Sequence, residues 1–359
     1  MIRVLVVDDS AVLRQSTKLI LESDPEIQVV GVATNGAEAT ALAARLQPDV
    51  ITMDIRMPKM DGLEAIRAIM AEHPAPIVVV TGIDPDRDMH LFKEATRLGA
   101  VAVLKRHESI ASPSHKVFVA NLIQQVKTMS GIKVIRRTRS HQAADAGTSH
   151  AAPPLSPPVE SGRRSVPDLP PRKTEIVAIG ASTGGPAALY KILAEMPANF
   201  PVPIVIVQHI SFGFVEGLAS WLNDASPLRV KVAQQGERLA AGHVYVAPDE
   251  HHMLMNRFNS ITLSTSDPVS GHRPSVTALF QSTAQSYGPA AMAAILTGMG
   301  SDGAIGMKAL RDAGAITIAQ NQASCVVFGM PKEAIALGGA RHVVPLDKIA
   351  QSLQELMVI

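Results

Sequence analysis

The sequence is short of several residue types and patterns, and each shortage excludes a class of protein. A single cysteine, Cys325, occurs in 359 residues, which excludes an internal disulfide framework and fits a reducing compartment. No apolar run approaches the roughly 20 residues of a membrane span, and the N-terminal MIRVLVVDDS has acids where a signal peptide would continue its apolar core. We therefore expect a soluble, cytoplasmic protein without direct membrane insertion.

The chain also lacks an excess of charge. Its 33 basic and 32 acidic residues give a net charge of +1, which offers no reason to expect nucleic acid as a partner. A hydrophobic content of 47% is enough to bury at least one full core, and the length suggests two domains.

Hydrophobic periodicity stops in the middle of the chain, from Arg136 to Arg172. Seven prolines fall between Pro153 and Pro171, among Ser, Gly and Ala, so no packed element can form there. An extended, semi-stiff linker is favoured over a long ordered loop, because such loops are uncommon in compact domains. We predict one domain at residues 1–130, a linker at 131–173 and a second domain at 174–359.

The front half alternates strands with helices. IRVLVV at residues 2–7 is a continuous β-branched run, typical of a strand buried on both faces of a parallel sheet. The pattern recurs until five strands alternate with helices, which predicts a doubly wound α/β domain with its active groups at the carboxyl ends of the strands. The polar residues at those ends are Asp8, Asp9, Asp54, Thr81 and Lys105.

These residues predict a phosphorylation site. Three carboxylates at one sheet edge would repel each other unless a divalent cation lay among them, and an all-oxygen site suits Mg²⁺. A lysine and a hydroxyl nearby would neutralise a phosphoryl group. Acids that merely cap helices would explain Asp8 or Asp9 singly, but neither Asp54 in TMDIRMP nor its pairing with Lys105.

The rear half opens on EIVAIGASTGGP, in which a strand runs into a glycine-rich turn. Such a turn could cradle a phosphate or display a nucleophilic serine. A P-loop would need a lysine where Pro186 follows Gly185, and Ser182 replaces the middle glycine of a dinucleotide fingerprint. The pattern G-x-S-x-G does fit, from Gly180 to Gly184, and makes Ser182 a candidate nucleophile.

A nucleophilic serine needs a base and an orienting acid. His209 ends the strand-like run PVPIVIVQH, and Asp302 lies in the turn after AAMAAIL, so both are expected at the carboxyl edge that carries Ser182. The stretch from Gly298 to Gly303 also matches G-x-G-x-x-G, but it lacks an acid about 20 residues further on, which disfavours nucleotide binding.

Other histidines are weaker candidates. The side chains of His251 and His252 are adjacent and should diverge, which disfavours a shared metal ion. His272 follows a turn and could line the site for substrate. His342 precedes a strand rather than ending one, which would put it at the wrong edge of the sheet.

Four stretches of the front half, VLVVDDS, DVITMDIRMPKMDGLEAI, VVVTG and LGAVAVLK, resemble the receiver domain of bacterial response regulators. The resemblance implies phosphorylation at Asp54, with Mg²⁺ held by Asp9 and Asp54 and with Asp8 nearby. It also implies that Thr81 and Lys105 sense the phosphate.

The rear half resembles the catalytic domain of the chemotaxis protein-glutamate methylesterase family, CheB, in AIGASTGGPAAL, VQHISFGFVEGLASWLN, GHRPSV and LTGMGSDGAIGMKALRDAGA. The resemblance implies Ser182 as nucleophile, His209 as base and Asp302 as its orienter, on a parallel sheet flanked by helices. Thr183 and Met299 would lie around the reacting carbonyl. No cofactor is expected in this half.

The chain departs from both families at a few positions. Receivers usually have an aromatic residue at Val103 and a proline at Arg106, so the usual switch and the loop geometry at the lysine are in question. The methylesterase family usually has an Asp at Thr277 and acids at Asn321 and Gln322. None of these last three is expected to touch the triad.

The implied function is hydrolysis of glutamate γ-methyl esters on the cytoplasmic helices of chemoreceptors, with release of methanol, and deamidation of receptor glutamines. A chemotaxis histidine kinase would phosphorylate the receiver and relieve its obstruction of the catalytic mouth. Two alternatives stay open: a non-catalytic regulator with a vestigial triad, and a hydrolase for small esters.

Overall fold

A computed structural model describes residues 1–82, 85–100, 102–106, 113–132 and 173–357. These residues form two parallel sheets, each covered by helices on both faces. The predicted linker at 131–173 lies outside the described residues except at its ends, and the domain boundaries stay a prediction. Within the described part of the chain, no helix combines the length and apolar character needed to cross a membrane.

The first sheet has five parallel strands in the order β2-β1-β3-β4-β5. The predicted doubly wound front half is therefore confirmed. The strands are β1 (Ile2–Val7), β2 (Ile27–Ala33), β3 (Val50–Met53), β4 (Ile77–Thr81) and β5 (Ala102–Lys105).

Side-chain caps begin three of the helices around this sheet, and Ser10 is the cap of the first of them. Asn35 accepts a hydrogen bond from the Glu38 N–H (3.0 Å) at α2, and Asp61 accepts one from Glu64 (2.8 Å) at α3, satisfying donors that the helices leave unpaired. The helices are α1 (Ala11–Glu22), α2 (Gly36–Leu46), α3 (Gly62–Glu72), α4 (Pro85–Leu98) and α5 (Pro113–Met129).

The second sheet has seven parallel strands in the order β14-β13-β12-β6-β7-β9-β8, as expected for the rear half. A separate antiparallel pair, β10 with β11, was not predicted. The strands are β6 (Ile176–Ala181), β7 (Ile204–Gln208), β8 (Arg229–Val232), β9 (His243–Val246), β10 (His252–Met255), β11 (Ile261–Ser264), β12 (Ala291–Ile295), β13 (Ile316–Gln320) and β14 (His342–Val344).

Alternate residues of β6 supply the two cores of this sheet. Val177 and Ile179 pack into the core on one face, while Ile176 and Ala178 pack into the core on the other. All four are fully buried, which explains why the strand is uniformly apolar. The covering helices are α6 (Gly185–Ala194), α7 (Val215–Ala225), α8 (Val276–Tyr287), α9 (Ala304–Asp312), α10 (Met330–Ala336) and α11 (Leu346–Glu355).

The strand order brings three chain segments together. Strand β6 lies between β7 and β12, all three are parallel, and their carboxyl ends therefore meet at one edge. The chain runs from β6 to β7 on one side and later returns to β12 on the other, so this edge is a switch point of the kind where α/β sheets bind ligands. Ser182, His209 and Asp302 follow β6, β7 and β12.

Candidate active site and phosphorylation site

Ser182 lies in a tight turn between β6 and α6 whose backbone is fixed by hydrogen bonds. Its N–H donates to the carbonyl of Thr297 (3.1 Å), and its own carbonyl accepts from Gln208 Nε2 (2.9 Å). Gly184 then precedes α6 with a φ of 77°, a left-handed conformation that glycine adopts without steric cost. The N-terminus of α6, with its partial positive charge, follows the serine directly.

Gly298 presses against this serine from the loop after β12. A Cβ added to Gly298 would lie 2.8 Å from the Cβ of Ser182 and 2.4 Å from the sulfur of Met330. Only glycine fits this position while the two loops stay so close.

His209 and Asp302 form a hydrogen-bonded pair. Nε2 of His209 lies 2.9 Å from Oδ2 of Asp302, whose side chain is buried, while that of His209 is 10% exposed. The other ring nitrogen, Nδ1, is buried and has no hydrogen-bond partner among the described residues. This nitrogen is therefore not engaged by another described residue.

The carboxylate of Asp302 is held by the starts of two helices. Its Oδ1 accepts from Ser275 Oγ (2.8 Å) and from the N–H groups of Thr277 and Gly303 (both 3.0 Å), and its Oδ2 accepts from the Val276 N–H (2.7 Å). Burial acts to raise the pKa of Asp302, but the hydrogen bonds outweigh it and hold the pKa well below its usual range. The group is therefore a fixed anion beside the His209 ring.

The expectation that Thr277 does not touch the triad is wrong. Its N–H donates to Asp302, and its hydroxyl accepts from the Gly303 N–H (2.7 Å) in the buried turn that holds the same carboxylate. Ser275, a second contact of Asp302, was missed altogether. A signal was present, because a serine directly before an apolar helix is a typical N-cap, and Ser275 does cap α8.

A second imidazole covers the His209 ring. The rings of His209 and His272 stack with centroids 3.9 Å apart and an angle of 8° between their planes. Burial, with the adjacent His209, lowers the pKa of His272 from 6.5 to about 4. His272 therefore stacks as a neutral ring, at a place consistent with the prediction that it lines the site.

The candidate residues open on one cleft of about 770 Å³ that both halves of the chain line. From the rear half come Ser182, Thr183, His209, Met299 and Asp302. From the front half come Phe92, Val103 and Gln124. The mouth of the candidate site thus lies against the first domain.

Direct contacts join the two halves at this mouth. Nε2 of Gln124 lies 3.9 Å from the sulfur of Met299, and the hydroxyl of Thr128 contacts the same sulfur. The Ser211 hydroxyl donates to the carbonyl of Val103 (3.2 Å). Met299, which was expected near the reacting carbonyl, and Val103, where receivers usually have an aromatic residue, are therefore residues of the interface between the two halves.

A second set of contacts lies between α4 and α7. Phe92 is 3% exposed, and its ring centroid lies 5.4 Å from that of Phe214 and 6.4 Å from that of Trp221. Lys93 forms an ion pair with Asp224 (3.0 Å). The aromatic cluster is the larger contribution, since exposed ion pairs stabilise little.

The predicted acids do converge at the edge of the first sheet. One carboxylate oxygen from each of Asp8, Asp9 and Asp54 lies within 4.8 Å of the other two. Burial, and then repulsion from Asp8, raise the pKa of Asp54. Hydrogen bonds from the Ile55 N–H (2.8 Å) and from the Thr81 side chain act in the opposite direction and lower it. Oxygen ligands at this spacing fit Mg²⁺.

The cation paired with these acids is Arg106 rather than Lys105. Nη2 of Arg106 donates to Oδ2 of Asp8 (2.7 Å). Lys105 is the last residue of β5, is half-buried, and is paired with Thr81 of the neighbouring strand β4. The family departure at Arg106 thus lies inside the candidate phosphorylation site.

Among the described residues, His251, His252 and His342 make no hydrogen bond to Ser182, His209 or Asp302, although Nδ1 of His252 accepts one from the Ser275 N–H (3.2 Å). Nδ1 of His251 bonds the Asp249 carbonyl (2.8 Å), while Nε2 of His252 bonds the Asp267 carbonyl (3.1 Å), so the two rings diverge as expected. His342 is the first residue of β14 and therefore lies at the amino end of this strand, not at its carboxyl end. This agrees with the prediction that it lies at the wrong edge of the sheet for the site.

Comparison with known proteins supports both halves. The CheB methylesterase family model matches residues 177–353, and the response regulator receiver domain model matches residues 4–112. Protein-glutamate methylesterases/protein-glutamine glutaminases of Syntrophus aciditrophicus and Geobacter metallireducens are each 45% identical over 99% of this chain, and it covers 98% and 99% of their lengths. The crystal structure of the Thermotoga maritima CheB methylesterase catalytic domain matches with a TM-score of 0.50 and 42% identity, covering 52% of this chain and 100% of that domain.

A receiver domain joined to a hydrolase domain defines a response regulator with an enzymatic output. The chain belongs to the CheB methylesterase family, and its activity is that of a protein-glutamate methylesterase and protein-glutamine glutaminase. The predicted family, fold class and enzyme class are confirmed.

Proposed function

We propose that the protein hydrolyses glutamate γ-methyl esters and deamidates glutamines on the cytoplasmic helices of chemoreceptors with a Ser182-His209-Asp302 triad. We further propose that phosphorylation of Asp54 by a chemotaxis histidine kinase activates this reaction. The observation that carries the first part is the 2.9 Å bond between His209 and Asp302 in the cleft that Ser182 lines.

The chemistry follows from the two nitrogens of His209. Nε2–H donates to Asp302, so Nδ1 bears the lone pair that takes the proton as Ser182 Oγ attacks the ester carbonyl. The imidazolium that forms is stabilised by the buried Asp302 carboxylate. The tetrahedral intermediate then collapses, and the C–O bond to methanol breaks as Nδ1–H protonates the departing oxygen.

The second half of the reaction repeats these steps with water. His209 takes a proton from water, the hydroxide attacks the acyl-serine, and the proton returns to Ser182 Oγ as the glutamate carboxyl leaves. A glutamine side chain follows the same route with ammonia as the leaving group. One site therefore accounts for both activities.

Regulation by the receiver is supported by the contacts at the cleft mouth. Gln124 and Thr128 of α5 contact Met299, and Phe92 of α4 packs against Phe214 and Trp221. A receptor helix bundle is a large substrate, and a domain packed at this position obstructs it. We propose that phosphorylation weakens this packing, since a shift of about 1.4 kcal/mol changes the open-to-closed ratio tenfold.

Asp54 is the proposed phosphoacceptor, with Thr81 and Lys105 contacting the phosphoryl oxygens. Asp9 and Asp54, with Asp8 nearby, would hold Mg²⁺, whose donor set they match. The ion supplies charge neutralisation for the incoming phosphoryl group. The protein's own residues orient the acceptor: the Ile55 N–H fixes one oxygen of Asp54.

The test is methanol release from membranes that carry methylated receptor, measured with and without a small-molecule phosphodonor. We expect release in both cases and a faster rate with the donor. No release from folded protein would contradict the proposed substrate, and an equal rate would contradict the proposed activation.

Two alternatives are separated by the same preparation. A hydrolase for small esters would cleave a small methyl ester as well as the receptor, whereas we expect strong preference for receptor. A regulator with a vestigial triad would show no acylation of Ser182 in a single turnover. Covalent labelling of Ser182 would exclude it.

A further inference from the structure

Arg106 forms a buried ion pair inside the acidic cluster. Its Nη2 donates to Oδ2 of Asp8 (2.7 Å) and to the carbonyl of Val80 (3.0 Å). The side chains of Arg106 and Asp8 are 13% and 4% exposed, so water screens this pair little. The guanidinium is therefore a direct counter-charge to Asp8.

The same carboxylate belongs to the cluster whose donors fit a divalent cation. Asp8, Asp9 and Asp54 bring their oxygens within 4.8 Å of one another, and Arg106 already occupies one oxygen of Asp8. A guanidinium and Mg²⁺ repel each other at this range and compete for the same anionic oxygens.

We propose that Arg106 is an internal counter-cation that Mg²⁺ must displace from Asp8, and that it thereby sets the Mg²⁺ affinity of the site. The proposal rests on the Mg²⁺ binding put forward under the proposed function. Arg106 is a positioning residue here, since it acts through Asp8.

The main chain of Arg106 makes a hydrogen bond that does not involve its guanidinium. Its N–H donates to the Thr81 carbonyl (2.9 Å) and continues the pairing of β5 with β4. A proline at this position would remove that hydrogen bond as well as the charge. Glutamine is therefore the informative replacement, because it keeps the N–H and removes only the guanidinium.

The experiment is a calorimetric titration of the full chain with magnesium chloride alone, without phosphodonor. For Arg106→Gln we expect the Mg²⁺ dissociation constant to fall by about five- to tenfold, as an adjacent unit charge is removed. Arg106→Lys keeps the charge and should stay close to wild type. Arg67→Gln makes the same charge change on α3, where Arg67 forms an exposed ion pair with Glu94 of α4. This control should leave the Mg²⁺ affinity unchanged.

A double-mutant cycle separates the contact with Asp8 from a general charge effect. In an Asp8→Asn background, Arg106→Gln should improve the Mg²⁺ affinity by a much smaller factor than in wild type. An equal factor in both backgrounds would overturn the proposal, as would an unchanged or weaker affinity in Arg106→Gln alone.

A second measurement needs no substitution and covers the case in which the variants do not fold. In the NMR spectrum of the full chain, the side-chain N–H signal of Arg106 should shift during the Mg²⁺ titration and saturate with the binding isotherm. A signal that stays in place at saturating Mg²⁺ would overturn the proposal.

The outcome also separates this proposal from the one on which it rests. If wild type binds Mg²⁺ and Arg106→Gln binds it no better, only the role of Arg106 fails. If neither protein binds Mg²⁺, both fail. If only Arg106→Gln binds it measurably, the role of Arg106 is supported in its strongest form.

Discussion

The rings of His209 and His272 lie parallel at a centroid distance of 3.9 Å, and the pKa of His272 is lowered to about 4. In the proposed mechanism, in which His209 takes the serine proton, a neutral ring in this position supports the face of the base without adding a second positive charge beside the imidazolium.

His272→Phe tests this through the pH dependence of catalysis. Because His272 stays neutral between roughly pH 5 and 8, we expect the acid limb of kcat/KM for methanol release to keep its position and single-proton slope. His272→Ala, which removes the ring face, should lower kcat/KM. A changed slope in the Phe variant would show that His272 ionises in this range.

The lowered pKa of His272 also makes the stability of the fold depend on pH. Between pH 6.5 and about 4, His272 is protonated in the unfolded chain but not in the folded one, so acidification through this window destabilises the fold. The Phe variant should lose this component of the pH dependence.

Ser182→Ala should abolish hydrolysis and leave the fold intact. The backbone bonds of Ser182 to Thr297 and Gln208 do not involve its hydroxyl, and alanine keeps them. We expect methanol release to fall at least about 10³-fold. Ser301→Ala, in the same cleft, is the matched control and should stay near the wild-type rate. Near-normal release from the Ser182 variant would remove it from the proposed role.

Asp302→Asn should damage both activity and stability. Oδ1 accepts three hydrogen bonds and Oδ2 accepts two, so an amide nitrogen at either position meets donors. We expect a loss of about 10³-fold or more in rate and about 1–3 kcal/mol in the free energy of unfolding. Asp312→Asn, at a surface pair with Lys308, is the control. Wild-type stability in the Asp302 variant would contradict this account of its hydrogen bonds.

Phe92→Ala should raise the rate of the unphosphorylated chain. It removes the buried ring that packs on Phe214 and Trp221, and a loss of about 1.4 kcal/mol at the interface would increase the open fraction tenfold. Methanol release without phosphodonor measures this. Phe258→Ala, at an 83% exposed phenylalanine, should have no effect. A Phe92 variant that is still as slow as wild type would indicate that these contacts do not restrain the enzyme.

Removing the receiver should have a larger effect of the same kind. We expect the fragment 175–359 to be active without phosphodonor and to exceed the unphosphorylated full chain. Asp54→Asn in the full chain should stay at the basal rate and ignore the donor. Equal rates for all three, at one Mg²⁺ and receptor concentration, would contradict regulation through Asp54.

The sequence predicted the elements whose signal is local. The buried run of β6 and its glycine-rich turn identify Ser182, and the parallel order of strands brings His209 and Asp302 to the same edge. These inferences need only the rule that active groups lie at the carboxyl ends of parallel strands.

Contacts between distant segments could not be predicted in the same way. The stack of His272 on His209, the hydrogen bond from Thr277 to Asp302 and the reach of Arg106 to Asp8 each depend on the position of a loop or a long side chain. Periodicity and spacing do not encode such positions. At Thr277 the contact with Asp302 is made by the backbone N–H, which is common to nearly all residue types and gives no signal in the sequence.

The carboxylate of Asp302 connects the first turn of α8 to the turn that begins α9 through hydrogen bonds, and these bonds do not depend on whether the protein is catalytically active. Selection for stability alone would therefore tend to retain this aspartate after hydrolysis had been lost, since its replacement leaves donors at the starts of two helices unpaired. The hydroxyl of Ser182 carries no such structural duty. In a comparison of descendants, an intact Asp302 would therefore say little about enzymatic competence, whereas on the proposed mechanism the loss of Ser182 would mark the end of catalysis.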